Sequence, residues 1–240
     1  MNKQEILGVE FDSCSVSEAV ECAMRLMKNK DGAYAVTPNS EIVLEARKNK
    51  RLRQAIKSAQ LVLPDGVGVV YASRILGSPL EQKVCGVDFA AALLARMSES
   101  GMSVFLLGAK PGIAEQAAEA IKERYPGIKI AGTNDGYFVD DSPVIHKINS
   151  VSPDFLMVCL GAPKQEIWMS KNHELLKVGL MTGLGGVLDV YAGVVELAPQ
   201  KWRDSGFEWL YRLIKEPWRI KRMIKLPLII FAALWKRIKG

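Results

Sequence analysis

The 240-residue sequence predicts an α/β fold, a Rossmann-like and mostly parallel sheet with helices on both faces. Two observations predict it. Apolar runs rich in β-branched residues alternate with segments of helical period, most of them ten or more residues long, which is the pattern of βαβ units. Most of the runs are apolar along their length, as strands buried on both faces are.

Taken in order, residues 16–28 read as a helix with Ser15 as its cap, and residues 33–36 as a strand. Residues 40–58 read as one helix capped by Asn39. The stretch "SAQLVLPDGVGVV" holds a short strand, 61–63, that stops at Pro64, turns at Asp65-Gly66 and resumes as a helix. Further helices are expected at 87–100, 113–124 and 143–149, and strands at 104–107, 128–131, 155–160 and 178–181. The domain so built spans 1–195 and leaves 196–240 as a basic, Trp-rich helical appendage.

The net charge of +6 resides in that appendage. Residues 201–240 hold eleven Lys or Arg against Asp204, Glu208 and Glu216, so the first 200 residues sum to −2. Trp202, Trp209, Trp218 and Trp235 lie there too. The N-terminal "MNKQEILGVEF" lacks the apolar core of a signal peptide, so export is not expected. Cys14, Cys22, Cys85 and Cys159 form no C-x-x-C pair and read as ordinary cytosolic thiols. His146 and His173 read as surface residues, and no His or Cys set offers a metal site.

Five strand-to-helix turns gather at one sheet edge: "VTPNSE" (36–41), "LPDGVG" (63–68), "LLGAKPG" (106–112), "CLGAPKQE" (159–166) and "TGLGGVLD" (182–189). Ligands of open α/β sheets bind beyond the C-terminal strand ends, where backbone N–H groups suit phosphate. Gly108, Gly185, Gly186 and Asp189, in these turns, are candidate substrate-binding residues. Dinucleotide chemistry is disfavoured, because no strand-borne acid follows "GLGG" at about 20 residues. No P-loop lysine motif occurs, and Asp140-Asp141 lacks the D-x-D spacing that holds a metal against a diphosphate. A nucleotide diphosphate would have to be met by helix N-termini, Arg and Lys, and no cofactor is expected. Asp65 reads either as a helix cap or as a working carboxylate.

"TPNSE", "LPDGVGVV", "GAPKQE" and "GLGGVLDVYAG…APQKWRDSGFEWLYRLIKEPWRIKRM" resemble the WecG/TagA/CpsF family of bacterial glycosyltransferases, over residues 6–223. The resemblance implies transfer of a sugar from a UDP donor to a polyprenyl-diphosphate-linked amino sugar at the cytoplasmic membrane face. One branch moves N-acetylmannosamine to undecaprenyl-diphosphate N-acetylglucosamine for wall teichoic acid linkage units. Another moves N-acetylmannosaminuronic acid, and the shared motifs do not separate the donors.

The resemblance makes Asp65 the general base. A carboxylate there can take the acceptor hydroxyl's proton as the bond to the anomeric carbon forms, giving inversion in one displacement without a metal. Thr37, Asn39 and Gln165 match family positions lining the same pocket, although Thr37 and Asn39 also suit helix capping. Lys83 stands in "QKV" where many members carry arginine in "ERV", so the charge is kept and the bidentate fork lost. Leu197 departs as well, since the family often has arginine before "AP". Arg212, Arg219 and Arg222 match appendage arginines that fold over the active site, and their spacing puts them near one helix face.

The segment "LPLIIFAALW", 226–235, is ten residues, about half of what a spanning helix needs. With Lys221, Arg222, Lys225, Lys236, Arg237 and Lys239 around it, it reads as an interfacial segment on anionic lipid at the inner membrane face. A core helix packed on the domain is the competing reading, and nothing else supports a nucleic-acid arm. The alternative to an enzyme is a membrane-tethered binding module without turnover. The oligomeric state stays open, a homo-oligomer included.

Overall fold

The structure, a computed structural model, describes residues 1–215 and 225–239. A hairpin of β1 (Asn2–Ile6) and β2 (Val9–Ser13) precedes a six-stranded sheet. That sheet comprises β3 (Ala33–Val36), β4 (Leu61–Val62), β5 (Ser103–Gly108), β6 (Lys129–Asn134), β7 (Phe155–Cys159) and β8 (Leu180–Gly183). All its pairings are parallel, and the order is β4-β3-β8-β7-β5-β6.

Successive side chains of the central strands enter opposite cores. In β7, Phe155 and Met157 join one, Leu156 and Val158 the other. Helices α1 (Val16–Met27), α5 (Gly86–Glu99), α6 (Ile113–Arg124) and α9 (Val187–Tyr191) cover the first core. The second is covered by α2 (Ser40–Ala46), α3 (Lys50–Lys57), α4 (Val67–Ile75), α7 (Asp141–Val151) and α8 (Lys164–Asn172). The central strands are therefore covered on both faces, as their apolar runs require, whereas β6, expected to be buried, is a partly exposed edge strand that carries Lys129.

Several elements shift an end by two or three residues, β8 to 180–183 and β6 to 129–134 among them, and two differ in kind from the sequence reading. The helix expected over 40–58 is two helices, because side chains offer its middle better partners than continued helix does. Asn49 Oδ1 accepts the Leu52 N–H at 3.1 Å and starts α3, while the Arg53 guanidinium donates to the Ala46 and Arg47 carbonyls that end α2. The N-terminal hairpin, read only for a signal peptide, turns at Leu7-Gly8, both with positive φ, and buries Ile6, Val9 and Phe11 in the second core.

The C-terminal region contributes α10 (Gln200–Asp204), α11 (Glu208–Lys215) and α12 (Lys225–Lys239). Helix α12 packs against α4 and α2 and buries Ile229 and Ala233 completely. Its other side leaves Leu228, Phe231, Leu234, Trp235 and Ile238 exposed, at roughly helical spacing. Two of its basic residues face the domain: Lys236 Nζ donates to Glu5 Oε1 at 2.8 Å, and Arg237 to the Ile75 carbonyl. The core-helix reading thus describes one face, and the other is apolar and exposed. No described helix is long and apolar enough to cross a membrane.

Candidate active site

A cleft of about 410 Å³ opens at the C-terminal ends of β3, β4, β7 and β8. Backbone hydrogen bonds stitch its floor together. The Asp65 N–H donates to the Pro38 carbonyl at 3.2 Å, and the Val84 N–H to the Pro64 carbonyl at 2.8 Å. The turns after β3 and β4 and the segment before α5 are thereby held side by side, and each contributes residues to the cleft.

Asp65 is half-buried in this floor. Gly66, not Asp65, holds the N-cap position of α4, where its φ of +88° turns the chain into the helix. The carboxylate therefore projects from the residue before the cap. Beside it, burial pushes the Cys85 thiol far up, and the Asp65 charge adds to the shift, so Cys85 stays protonated.

The other expected residues divide into three groups. Thr37, Asn39, Lys83, Gln165, Gly185, Gly186 and Asp189 all line the cleft with Asp65. Thr37 and Asn39 also serve the fold: Thr37 Oγ1 donates to the Gly183 carbonyl at 3.1 Å, and Asn39 Oδ1 caps α2 through the Glu41 and Ile42 N–H groups. Gln165 is buried, and its Oε1 accepts the Gly185 N–H at 3.0 Å.

Gly108 does not line the cleft. It ends β5, which lies beyond β7 in the strand order, and a side chain there would meet the Cys159 carbonyl oxygen at 2.2 Å. Its glycine serves strand packing. Arg212 lies in α11, but its side chain, like Arg219 and Arg222 altogether, falls outside the described residues.

The pair Asp140-Asp141 is structural. Asp140 caps α7 through the Ser142 N–H, and Asp141 accepts from Trp168 Nε1 at 3.0 Å and Lys171 Nζ at 2.7 Å. Among the described residues no group of three or more His, Cys, Asp or Glu could hold a metal ion.

Several cleft residues escaped the sequence reading. Glu41, Glu208 and Trp209 line it, the last two from α11. Lys83 is the one cation among the described lining residues, and its Nζ donates to the Arg203 carbonyl in α10 at 2.6 Å. Arg203 in turn pairs with Asp88 in the first turn of α5. The C-terminal region is thus tied to the cleft at its rim. Only the tertiary fold shows this, since these residues lie more than a hundred positions apart.

The first turns of α4, α5 and α8 meet this cleft, and a positive helix end favours an anion. A recessed carboxylate, helix starts and an open groove suit transfer from a phosphate-activated donor to a hydroxyl.

Comparison with known proteins agrees with this chemistry. The family described as Glycosyl transferase WecG/TagA/CpsF matches residues 4–240. An N-acetylglucosaminyldiphosphoundecaprenol N-acetyl-beta-D-mannosaminyltransferase of Bacillus spizizenii is 39% identical over 209 residues, 87% of this chain and 81% of the relative. The protein of the same name from Bacillus subtilis is 38% identical over 198 residues, 82% of this chain and 77% of the relative. That from Staphylococcus aureus is 33% identical over 231 residues, 95% and 91% of the two chains. A family match over residues 4–240, with relatives 33–39% identical over most of both chains, makes this chain a member of the WecG/TagA/CpsF glycosyl transferase family.

Proposed function

We propose that the protein transfers N-acetylmannosamine from a UDP donor to N-acetylglucosamine linked to undecaprenyl diphosphate, the acceptor in the names of its relatives. The observation that carries the mechanism is Asp65, a carboxylate in the cleft floor one residue ahead of the α4 cap. The acceptor hydroxyl oxygen attacks the anomeric carbon, and its proton passes to the Asp65 carboxylate. The bond to the UDP oxygen breaks with its electron pair, and UDP leaves from the opposite side. One displacement inverts the configuration, so an α-linked donor gives a β-linked product.

The departing diphosphate needs positive charge, and Lys83 is the one described cation in the cleft. Helix starts add partial charge. Arg212, Arg219 and Arg222 supply the rest on this reading, which requires no metal ion. Residues 1–195 then form the catalytic unit, and 196–240 an appendage that completes the site.

The exposed apolar side of α12, with Lys239 stacked 4.6 Å over Trp235, supports docking on anionic lipid at the inner membrane face. The polyprenyl acceptor would be presented there. A uronic acid donor is the second reading, because Lys83 could equally meet a sugar carboxylate. Incubation with UDP-N-acetylmannosamine and the lipid-linked acceptor, read by UDP release and by the anomeric configuration of the product, tests the proposal.

A further inference from the structure

Glu166 is fully buried in the first turn of α8, next to Gln165 in the cleft wall. Its Oε1 accepts from Gln165 Nε2 at 2.9 Å, and its Oε2 has no hydrogen-bond partner among the described residues. Nothing in the transfer chemistry uses it. Burying a carboxylate with so little support is costly. Burial indeed pushes its carboxyl pKa up.

The amide of Gln165 has two ends of opposite character. Its Oε1 accepts the Gly185 N–H at 3.0 Å, while its Nε2 is directed at Glu166. Turned by half a rotation, the amide would set a donor against the Gly185 N–H. With Nε2 donating to Glu166, Oε1 is left to accept the Gly185 N–H, the orientation that the turn needs. The absence of a side chain at Gly183 leaves the room, since a Cβ there would stand 3.0 Å from Gln165 Nε2.

We propose that Glu166 is a positioning residue for the transfer reaction, orienting the Gln165 amide and through it holding the Gly185 turn that walls the cleft. It acts from outside the cleft, entirely through Gln165. The inference rests on the proposed function only for its kinetic readout.

The test compares wild type, Glu166→Gln, Glu166→Asp and Glu166→Met by amide hydrogen exchange at Gly185 and by steady-state kinetics with UDP-N-acetylmannosamine. Glu166→Gln keeps an acceptor oxygen of the same reach, so exchange and donor KM are expected to stay near wild type. Glu166→Met removes the acceptor and Glu166→Asp withdraws it. Both are expected to speed exchange and raise donor KM by about tenfold, with kcat within about threefold. Adding Glu166→Met to Gln165→Ala is expected to cost nothing further, because one residue acts through the other.

Unchanged Gly185 exchange in Glu166→Asp and Glu166→Met overturns the proposal. So does a Glu166→Gln variant as impaired as Glu166→Met, or an additive double variant. Should Glu166→Met fail to fold, Glu166→Asp decides by the same two readouts. A wild-type protein without turnover would count against the proposed function, while exchange at Gly185 would still decide the role of Glu166.

Discussion

Lys83 Nζ and the Arg203 carbonyl lie 2.6 Å apart, joining a cleft-lining cation to the helix that begins the C-terminal region. A diphosphate in the cleft would offer that ammonium a charged acceptor in place of a neutral one. Lys83→Met is expected to lower kcat/KM by about 10- to 100-fold, the range for losing a hydrogen bond to a charged group. Lys83→Arg keeps the charge and is expected to retain most activity. Steady-state kinetics on both variants checks this, and equal losses would remove charge as the property that matters.

Asp65→Asn keeps the size of the side chain and, because Gly66 is the cap, leaves the start of α4 intact. Turnover is expected to fall by about 10²- to 10⁴-fold, the usual worth of a positioned base. UDP affinity by calorimetry should change only a few-fold. A variant with near-normal turnover places the base elsewhere.

Helix α12 cannot be removed to test lipid binding, since Ile229 and Ala233 belong to the core. Replacing the exposed Phe231 and Trp235 with Glu leaves that packing in place. The double variant is expected to stay folded and to lose binding to anionic vesicles in a sedimentation assay. Neutralising Arg212, Arg219 or Arg222 should instead cut turnover and leave vesicle binding intact. If arginine variants lose both in step, one electrostatic role explains both.

Stability should fall in acid partly through Asp154. Burial raises its carboxyl pKa, but the Ser103 N–H and Oγ, each at 2.8 Å, and Lys30 outweigh burial and hold it below the ordinary value. A depressed carboxyl contributes stability above its unfolded-state pKa and loses it as pH falls through the folded value. Asp154→Asn is therefore expected to lower the midpoint of urea unfolding at pH 7 and to match wild type more closely near pH 2. A deficit that is the same at both pH values would show that the charge contributes nothing.

The sheet was legible because strands buried on both faces leave unbroken apolar runs, and residues 33–36 and 113–124 appear with the ends expected of them. The hairpin was less so. Its alternating residues are few, and its turn uses Leu7 where Asn or Asp would announce a positive φ. Asp65 and the glycines of "GLGG" were visible as turn residues at one sheet edge, whereas Gly108 looked the same and lies beyond β7. Strand order is a nonlocal property, so a turn motif alone cannot tell one side of the sheet from the other. Glu166 gave no signal either, because a carboxylate in the first turn of a helix usually faces water.

Whether the protein transfers a sugar is decided by UDP release from a panel of UDP-sugars with polyprenyl-diphosphate N-acetylglucosamine, measured with and without EDTA. Release is expected with UDP-N-acetylmannosamine well above the other donors, unchanged by EDTA, and about 10²- to 10⁴-fold slower in Asp65→Asn. No release with any donor, or release that requires an added divalent metal, would contradict that expectation.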